Sequence, residues 1–197
     1  MDERASGFEP LQTERLSLRL LQLEDAERLR SYHNLPEVHR YQNWGAGSLE
    51  EVRAMVAETR EKAPGTPGRW VQLGIEERAT GVLVGDCGLH VLGTDPRQAE
   101  LGITLDPAHQ KRGFATEAIR ALLGYVLGDR QKHRVFVSVD PENCASMALM
   151  ARAGMRREAH HRENYWFRGR WTDEVIFAML RAEWLAHADQ TIAPPTS

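Results

Sequence analysis

Cysteine is nearly missing from this chain. Cys87 and Cys144 are the two in 197 residues, so one disulfide bridge is the most that can form and cross-links cannot carry the fold. Nowhere do eighteen apolar residues follow one another, which excludes an ordinary membrane-spanning helix. Positive charge is not in excess either: 25 lysines and arginines against 28 acidic residues give a formal charge of −3, not the basic field of a nucleic-acid binder. The first residues lack the basic-then-apolar pattern of an export signal, and the expected compartment is the cytoplasm. Whole motifs are missing too. Neither the P-loop pattern G-x-x-x-x-G-K-[ST] nor the dinucleotide pattern G-x-G-x-x-G is present, which removes the main supports for nucleotide hydrolysis and dinucleotide redox chemistry. H-E-x-x-H and C-x-x-C are absent, and adjacent His160 and His161 would face opposite sides of a strand, so no metal site is expected.

What is present is an ordinary globular composition, 42% hydrophobic and 27% charged, enough for one substantial core. Residues 1–12 are polar and expected to be loose, a single domain spans 13–187, and "ADQTIAPPTS" (188–197) has the composition of a disordered end. "RLSLRLLQ" (15–22) alternates as a strand, and "LEDAERLRSYHN" (23–34) reads as a helix that must stop near Pro36. Ser48 followed by Glu51 is a capping-box pair opening the helix "SLEEVRAMVAETREKA", which "PGTPG" ends. Three strand runs follow at 70–77, 82–92 and 99–105, separated by turns. A helix from about residue 113, a β-branched strand at 134–140, a helix between Asn143 and Gly154 and two late strands complete the order. This predicts an α+β fold, a mixed and mostly antiparallel sheet of six to seven strands flanked by about four helices.

"HQKRGFAT" (109–116) stands where a strand gives way to a helix. The first turn of a helix carries unpaired N–H groups and the positive end of the helix dipole, so it suits an anion. Gly113, lacking a Cβ, would let that backbone approach a ligand closely. A basic turn before a helix can also be no more than a solvated cap. The local order favours a ligand: "QKRGFA" fits [QR]-x-x-G-x-[GA], and the chain resembles the GNAT N-acetyltransferase superfamily, in which this loop holds an acyl coenzyme A. "RVFVSVDPENCASMALMARAGM" (134–155) is similar to that family's next strand and helix. "ERLSLRLLQLEDAERL" (14–29) and "RGRWTDEVIFAML" (168–180) resemble the first strand and last hairpin of its Rim-type subgroup, the ribosomal-protein N-terminal acetyltransferases. The resemblance covers about residues 13–182.

The resemblance implies a GNAT fold splayed at the coenzyme strand, with acetyl-CoA as cosubstrate. It places the pyrophosphate on the backbone of Arg112, Gly113, Phe114, Ala115 and Thr116, with Gln110 opening the motif and Lys111 and Arg112 adding charge. Ile103, Thr104 and Leu105 supply the strand edge for the pantetheine arm. Acetyl transfer needs a neutral amine, a donor for the oxyanion and a proton for the departing thiolate. Glu100 matches the position where several family members place a base; a salt-bridged strand-end carboxylate is the other reading. The tyrosine that many members use as acid is replaced here by Met150, and the resemblance points to Ser146, although a serine in the first turn of a helix is more often a cap or a packing residue. Asn143 combines an N-cap with a hydrogen bond to the pantetheine arm, and Cys144, with nothing basic beside it, is expected to be a buried thiol. Of Trp44, Trp70, Trp166 and Trp171, the glycine-flanked Trp44 is the best candidate for walling an acceptor site; the others read as core. Glu50 and Glu51 could draw a cationic acceptor.

The acceptor expected is a primary amine: first a protein N-terminus, next an aminoglycoside or polyamine. No direct nucleic-acid or membrane partner is expected, and the chain should be a monomer or homodimer. A non-catalytic acyl-CoA-binding module is the reading from another class, raised by Met150. An N-terminal acceptor requires segment 36–50 and the hairpin 165–172 to flank an open groove.

Overall fold

A computed structural model describes residues 8–42, 47–61 and 63–192. Eight strands form one sheet: β1 (Leu11–Gln12), β2 (Leu16–Leu20), β3 (Arg69–Glu77), β4 (Val82–Val91), β5 (Gln98–Leu105), β6 (Arg134–Val139), β7 (Arg156–Phe167) and β8 (Arg170–Leu180). Their order is β1-β2-β3-β4-β5-β6-β8-β7, and every neighbouring pair is antiparallel except β5 and β6. The eighth strand is β1, which pairs Leu11 and Gln12 with Leu18 and Ser17 inside the segment expected to be loose.

The helices are α1 (Ala26–His33), α2 (Pro36–His39), α3 (Leu49–Arg60), α4 (Phe114–Leu123), α5 (Cys144–Arg152) and α6 (Arg181–Ile192). Two of the six went unread in the sequence. Pro36 opens α2 at its first turn, where a missing N–H costs nothing, instead of only ending α1. α6 carries regular structure as far as Ile192, into the stretch expected to be disordered. The capping box is as read: Ser48 Oγ accepts from the Glu51 N–H at 3.2 Å, and Glu51 Oε2 accepts from the Ser48 N–H at 2.6 Å. Gly154 follows α5 with φ +88°, the left-handed conformation that ends a helix.

Strand alternation divides the side chains between two layers. Leu73, Leu89, Leu101, Val137 and Phe177 meet Phe114, Ile119 and Leu122 of α4 in the main core. On the other face a smaller core joins Leu21, Leu29, Tyr32, Val52 and Val56 under α1 and α3. That second layer stops short of β5, so this face of the central strands is left for other use.

Candidate active site

β5 and β6 run parallel for three pairs only, Gln98–Arg134, Ala99–Val135 and Glu100–Phe136. Beyond Glu100 they part, and β6 stays paired with β8 while β5 stays paired with β4. The outer edge of β5 from Leu101 to Leu105 is therefore without a strand neighbour, and it carries Ile103, Thr104 and Leu105. Asp106 then turns the chain, its Oδ1 accepting from the Ala108 N–H at 2.9 Å. Gln110 donates to the Leu105 carbonyl at 3.2 Å, holding the loop to the strand end. Lys111 and Gly113 both take positive φ, +60° and +84°. Regular helical bonding starts with the Glu117 N–H to the Gly113 carbonyl at 3.1 Å, so the N–H groups of Phe114, Ala115 and Thr116 have no partner within the helix. Phe114 is buried and anchors the turn, with the guanidinium of Arg112 4.4 Å above its ring.

Arg112 is also ion-paired with Glu77. Its charge belongs partly to the scaffold, whereas Lys111 is exposed. A residue that the sequence did not point to joins them. Arg15, from the β1–β2 turn, donates to the Arg112 carbonyl at 2.9 Å and to Glu117 at 2.7 Å. Its Nη2 lies 3.2 Å from where a Cβ on Gly113 would stand. The loop thus has a cationic rim and a cradle that a side chain at 113 would fill, and an anionic diphosphate fits that geometry.

At the start of α5, Asn143 Oδ1 accepts from the Ser146 N–H at 3.0 Å. The cap is as expected; Ser146 is half-buried one turn in, and Met150 is fully buried in the main core, out of reach of any proton transfer. Cys144 is exposed, not buried. It occupies the first helical position, on the solvent side of α5 with Ala145 and Ala148, and Cys87 is the thiol inside the core.

The opposite face of β5 presents Glu100, Gly102 and Thr104. Glu100 stands across from His90 of β4 in register, with Oε2 3.8 Å from His90 Nδ1. Trp70 of β3 stacks on the His90 ring, centroids 5.1 Å apart. Burial, reinforced by the nearby Glu174 carboxylate, pushes Glu100 above the ordinary carboxylate range. Burial alone pulls His90 below the ordinary imidazole range. Glu174 is itself held by Ser138 and by Asn164 Nδ2 at 2.8 Å. Beside them runs a buried polar chain: Asp86 accepts from Tyr32 Oη at 2.6 Å, lies 2.7 Å from His33 Nε2, and accepts from Gln72. His33 Nδ1 touches Gln42 Oε1 at 2.9 Å, and Gln42 donates to Thr104 Oγ1.

Residues 15–156 match the Acetyltransferase (GNAT) domain family. The chain belongs to the GNAT acetyltransferases. The Uncharacterized N-acetyltransferase p20 of Bacillus licheniformis is 30% identical over 178 residues, covering 90% of this chain and 99% of its own. The ribosomal protein uS5-alanine N-acetyltransferase of Escherichia coli (strain K12) is 29% identical over 84 residues, 43% of each chain. A spermidine N(1)-acetyltransferase of Vibrio cholerae is 29% identical over 93 residues, 47% of this chain and 54% of its own. A GNAT-family acetyltransferase structure from Bacillus anthracis superposes with a TM-score of 0.80 at 27% identity, covering 89% of this chain and all of that one. The protein is an N-acetyltransferase with the GNAT fold, its eight-stranded sheet splayed at β5 and β6.

In this acetyltransferase α2 and the β7–β8 hairpin, the segments expected to flank an acceptor groove, touch each other. Arg168, at the β7–β8 turn, donates to the His39 carbonyl at 3.0 Å, and Arg40 pairs with Glu142 at 3.3 Å. A depression of about 380 Å³ lies between α2 and the hairpin, lined by Pro36, His39, Phe167 and Arg168. These contacts tie His39 to the hairpin and Arg40 to Glu142, within the described part of the segment expected to flank an open groove. Trp44 lies outside the described residues, and Glu51 is used in its capping box. Trp166 and Trp171 are more than half exposed and pack edge-on against each other, and Trp70 is half exposed; none is the core residue expected. Among the described residues no group of histidine, cysteine and carboxylate side chains could hold a metal ion, and no helix is long and apolar enough to cross a membrane.

Proposed function

We propose that this enzyme transfers an acetyl group from acetyl-CoA to a primary amine, first a protein or peptide N-terminus, by direct attack in a ternary complex. The observation that carries the reading is the parting of β5 from β6 after Glu100: one strand edge leads from a positive-φ anion loop to a half-buried carboxylate on the far face. Acetyl-CoA supplies the activated acyl carbon, a thioester. Gly113, Phe114, Ala115 and Thr116 would bind its pyrophosphate by N–H groups, with Arg15, Lys111 and Arg112 around it. Ile103, Thr104 and Leu105 would pair with the pantetheine amides as a strand pairs with its neighbour.

Glu100, raised by burial, is a stronger base than an exposed carboxylate and would take a proton from the ammonium, directly or through water. An α-amine with a pKa of about 8 is partly neutral at pH 7, so a modest base is enough. Ser146 or a water would give a proton to the leaving thiolate and recover one from the attacking nitrogen, which sheds a second proton to become the amide; the Asn143 cap sets the helix start that presents Ser146. A polyamine acceptor is the second reading, favoured by the paired acids Glu100 and Glu174 on the acceptor face. A panel of N-terminal peptides, polyamines and aminoglycosides with acetyl-CoA, followed by thiol release, tests the choice. The N-terminal reading fails if no peptide turns over while spermidine or an aminoglycoside does.

A further inference from the structure

The β7–β8 turn consists of Arg168 and Gly169, with Phe167 and Arg170 paired on either side. Both turn residues take positive φ, +48° and +79°. A two-residue loop of this kind favours asparagine or aspartate before the glycine, because other side chains gain nothing locally from the left-handed conformation. Arginine stands there instead, and strain at such a residue points to a use for its side chain. The Arg168 guanidinium crosses to α2, where Nη2 donates to the His39 carbonyl at 3.0 Å and lies 2.6 Å from His39 Nε2.

Two more arginines join it. Arg40 follows α2 and Arg170 opens β8, and with Arg168 they rim the depression whose apolar lining is Pro36 and Phe167. Among the described residues one carboxylate answers these three guanidiniums: Glu142 Oε2 lies 3.3 Å from Arg40 and 3.9 Å from Arg170. Both distances exceed the about 2.7–2.9 Å of a tight N⁺–H···O⁻ bond, so positive charge remains for a further anion. Tyr41 Oη donates to the Glu142 carbonyl at 3.3 Å, so the depression abuts the turn that leads into Asn143 and α5. We infer that the depression binds an anionic group of the acceptor, a carboxylate side chain just downstream of the reacting amine. The inference rests on the acetyltransferase reading and names a substrate class for it, N-termini followed by acidic residues.

Charge is then sorted along the acceptor's path. The carboxylates Glu100 and Glu174 stand on β5 and β8, within the sheet, and the arginines gather at the hairpin turn and the end of α2. An acceptor with an ammonium at one end and a carboxylate further on matches that order, whereas a polyamine would bring a second cation to the arginines. A guanidinium presents its N–H groups in a fixed plane that suits the two oxygens of a carboxylate. The methylenes of a glutamate would lie against Phe167 and Pro36. A volume of about 380 Å³ is ample for one such side chain.

The test measures binding as well as turnover. Peptides that begin Ala-Glu-Glu, Ala-Gln-Gln and Ala-Lys-Lys and are otherwise identical are titrated by calorimetry into the full-length protein saturated with coenzyme A. The acidic peptide should bind about fivefold more tightly than the neutral one, since exposed ion pairs are each worth a few-fold at most, and the basic one more weakly still. Salt at about 1 M, where the Debye length is about 3 Å, should shrink the difference. The Arg40 and Arg170 side chains are 63% and 64% exposed, so a protein carrying both Arg40→Gln and Arg170→Gln should fold. It should bind the acidic and neutral peptides about equally, with its affinities for the neutral peptide and for coenzyme A unchanged. Glu142→Gln removes the resident carboxylate and should widen the acidic preference to about tenfold. A wild type that binds the three peptides alike or not at all, or an arginine variant that keeps the preference, overturns the site. Loss of coenzyme affinity in that variant overturns it too, because the arginines would then serve a coenzyme phosphate. Turnover of spermidine with no turnover of peptides, the order of peptide binding being intact, overturns the N-terminal reading and leaves the site standing.

Discussion

Strand β5 presents two different surfaces, and the contrast teaches how each of the two proposed substrates would be read. Ala99, Leu101 and Leu105 point into the main core and fix the strand, so that its edge and the loop after it offer backbone groups. Glu100, Gly102 and Thr104 point the other way and offer side chains, or the lack of one. A coenzyme met by backbone is sensitive to shape at the loop; an amine met by side chains is sensitive to charge and hydrogen bonding. Substitutions on the two sides should therefore separate coenzyme affinity from turnover.

The largest effect is expected on the acceptor side. Glu100→Gln should lower kcat about 10²–10⁴-fold with the acetyl-CoA Kd nearly intact, and Ser146→Ala should do the same if the hydroxyl is the acid. A change confined to KM would make either one a binding residue. The same Glu100→Gln protein should melt at a higher temperature at pH 7. Glu100 has a folded-state pKa above its unfolded value, so the folded state binds the proton more tightly. Ionisation as pH rises through that interval then costs stability, which a neutral amide does not lose. A drop in melting temperature would break this account.

Next comes the loop. Gly113→Val forces a β-branched residue into φ +84° and into space 3.2 Å from Arg15, so acetyl-CoA should bind about 10²-fold more weakly by calorimetry, and an unchanged Kd in folded protein removes the loop from the site. Arg15→Ala should weaken the coenzyme by about tenfold or less, since the guanidinium is partly exposed and screened. The smallest effect sharpens the acceptor side. Activity should fall at low pH as Glu100 is protonated and level off near an α-amine pKa of about 8. Glu174→Gln removes the like charge, lowers the Glu100 pKa and moves the acid limb to lower pH; a limb that stays in place would show the two carboxylates to be uncoupled.

Local signals carried the fold and the loop well. The Ser48–Glu51 box, the Asn143 cap and the "QKRGFA" turn each act within a few residues, and the structure has all three. What stayed hidden was long-range. Arg15 reaches a loop 97 residues away, and His33, Gln42 and Asp86 come together only when α1 lies over β4. β1 is two residues long, too short for any alternation to register. Cys144 shows the limit from the other side: lack of a basic neighbour in sequence said nothing about which way the first turn of α5 would face.

The seam between β5 and β6 also bears on how the molecule holds together. Three backbone pairs join the five-strand and three-strand portions of the sheet. A substrate lying along the free edge would act as a splint across that seam, so the ligand-free enzyme should breathe there and the loaded enzyme should not. Amide exchange at Leu101–Leu105 should slow on adding coenzyme A while exchange within β3 and β4 stays the same, which would make the cosubstrate part of the architecture as well as of the reaction.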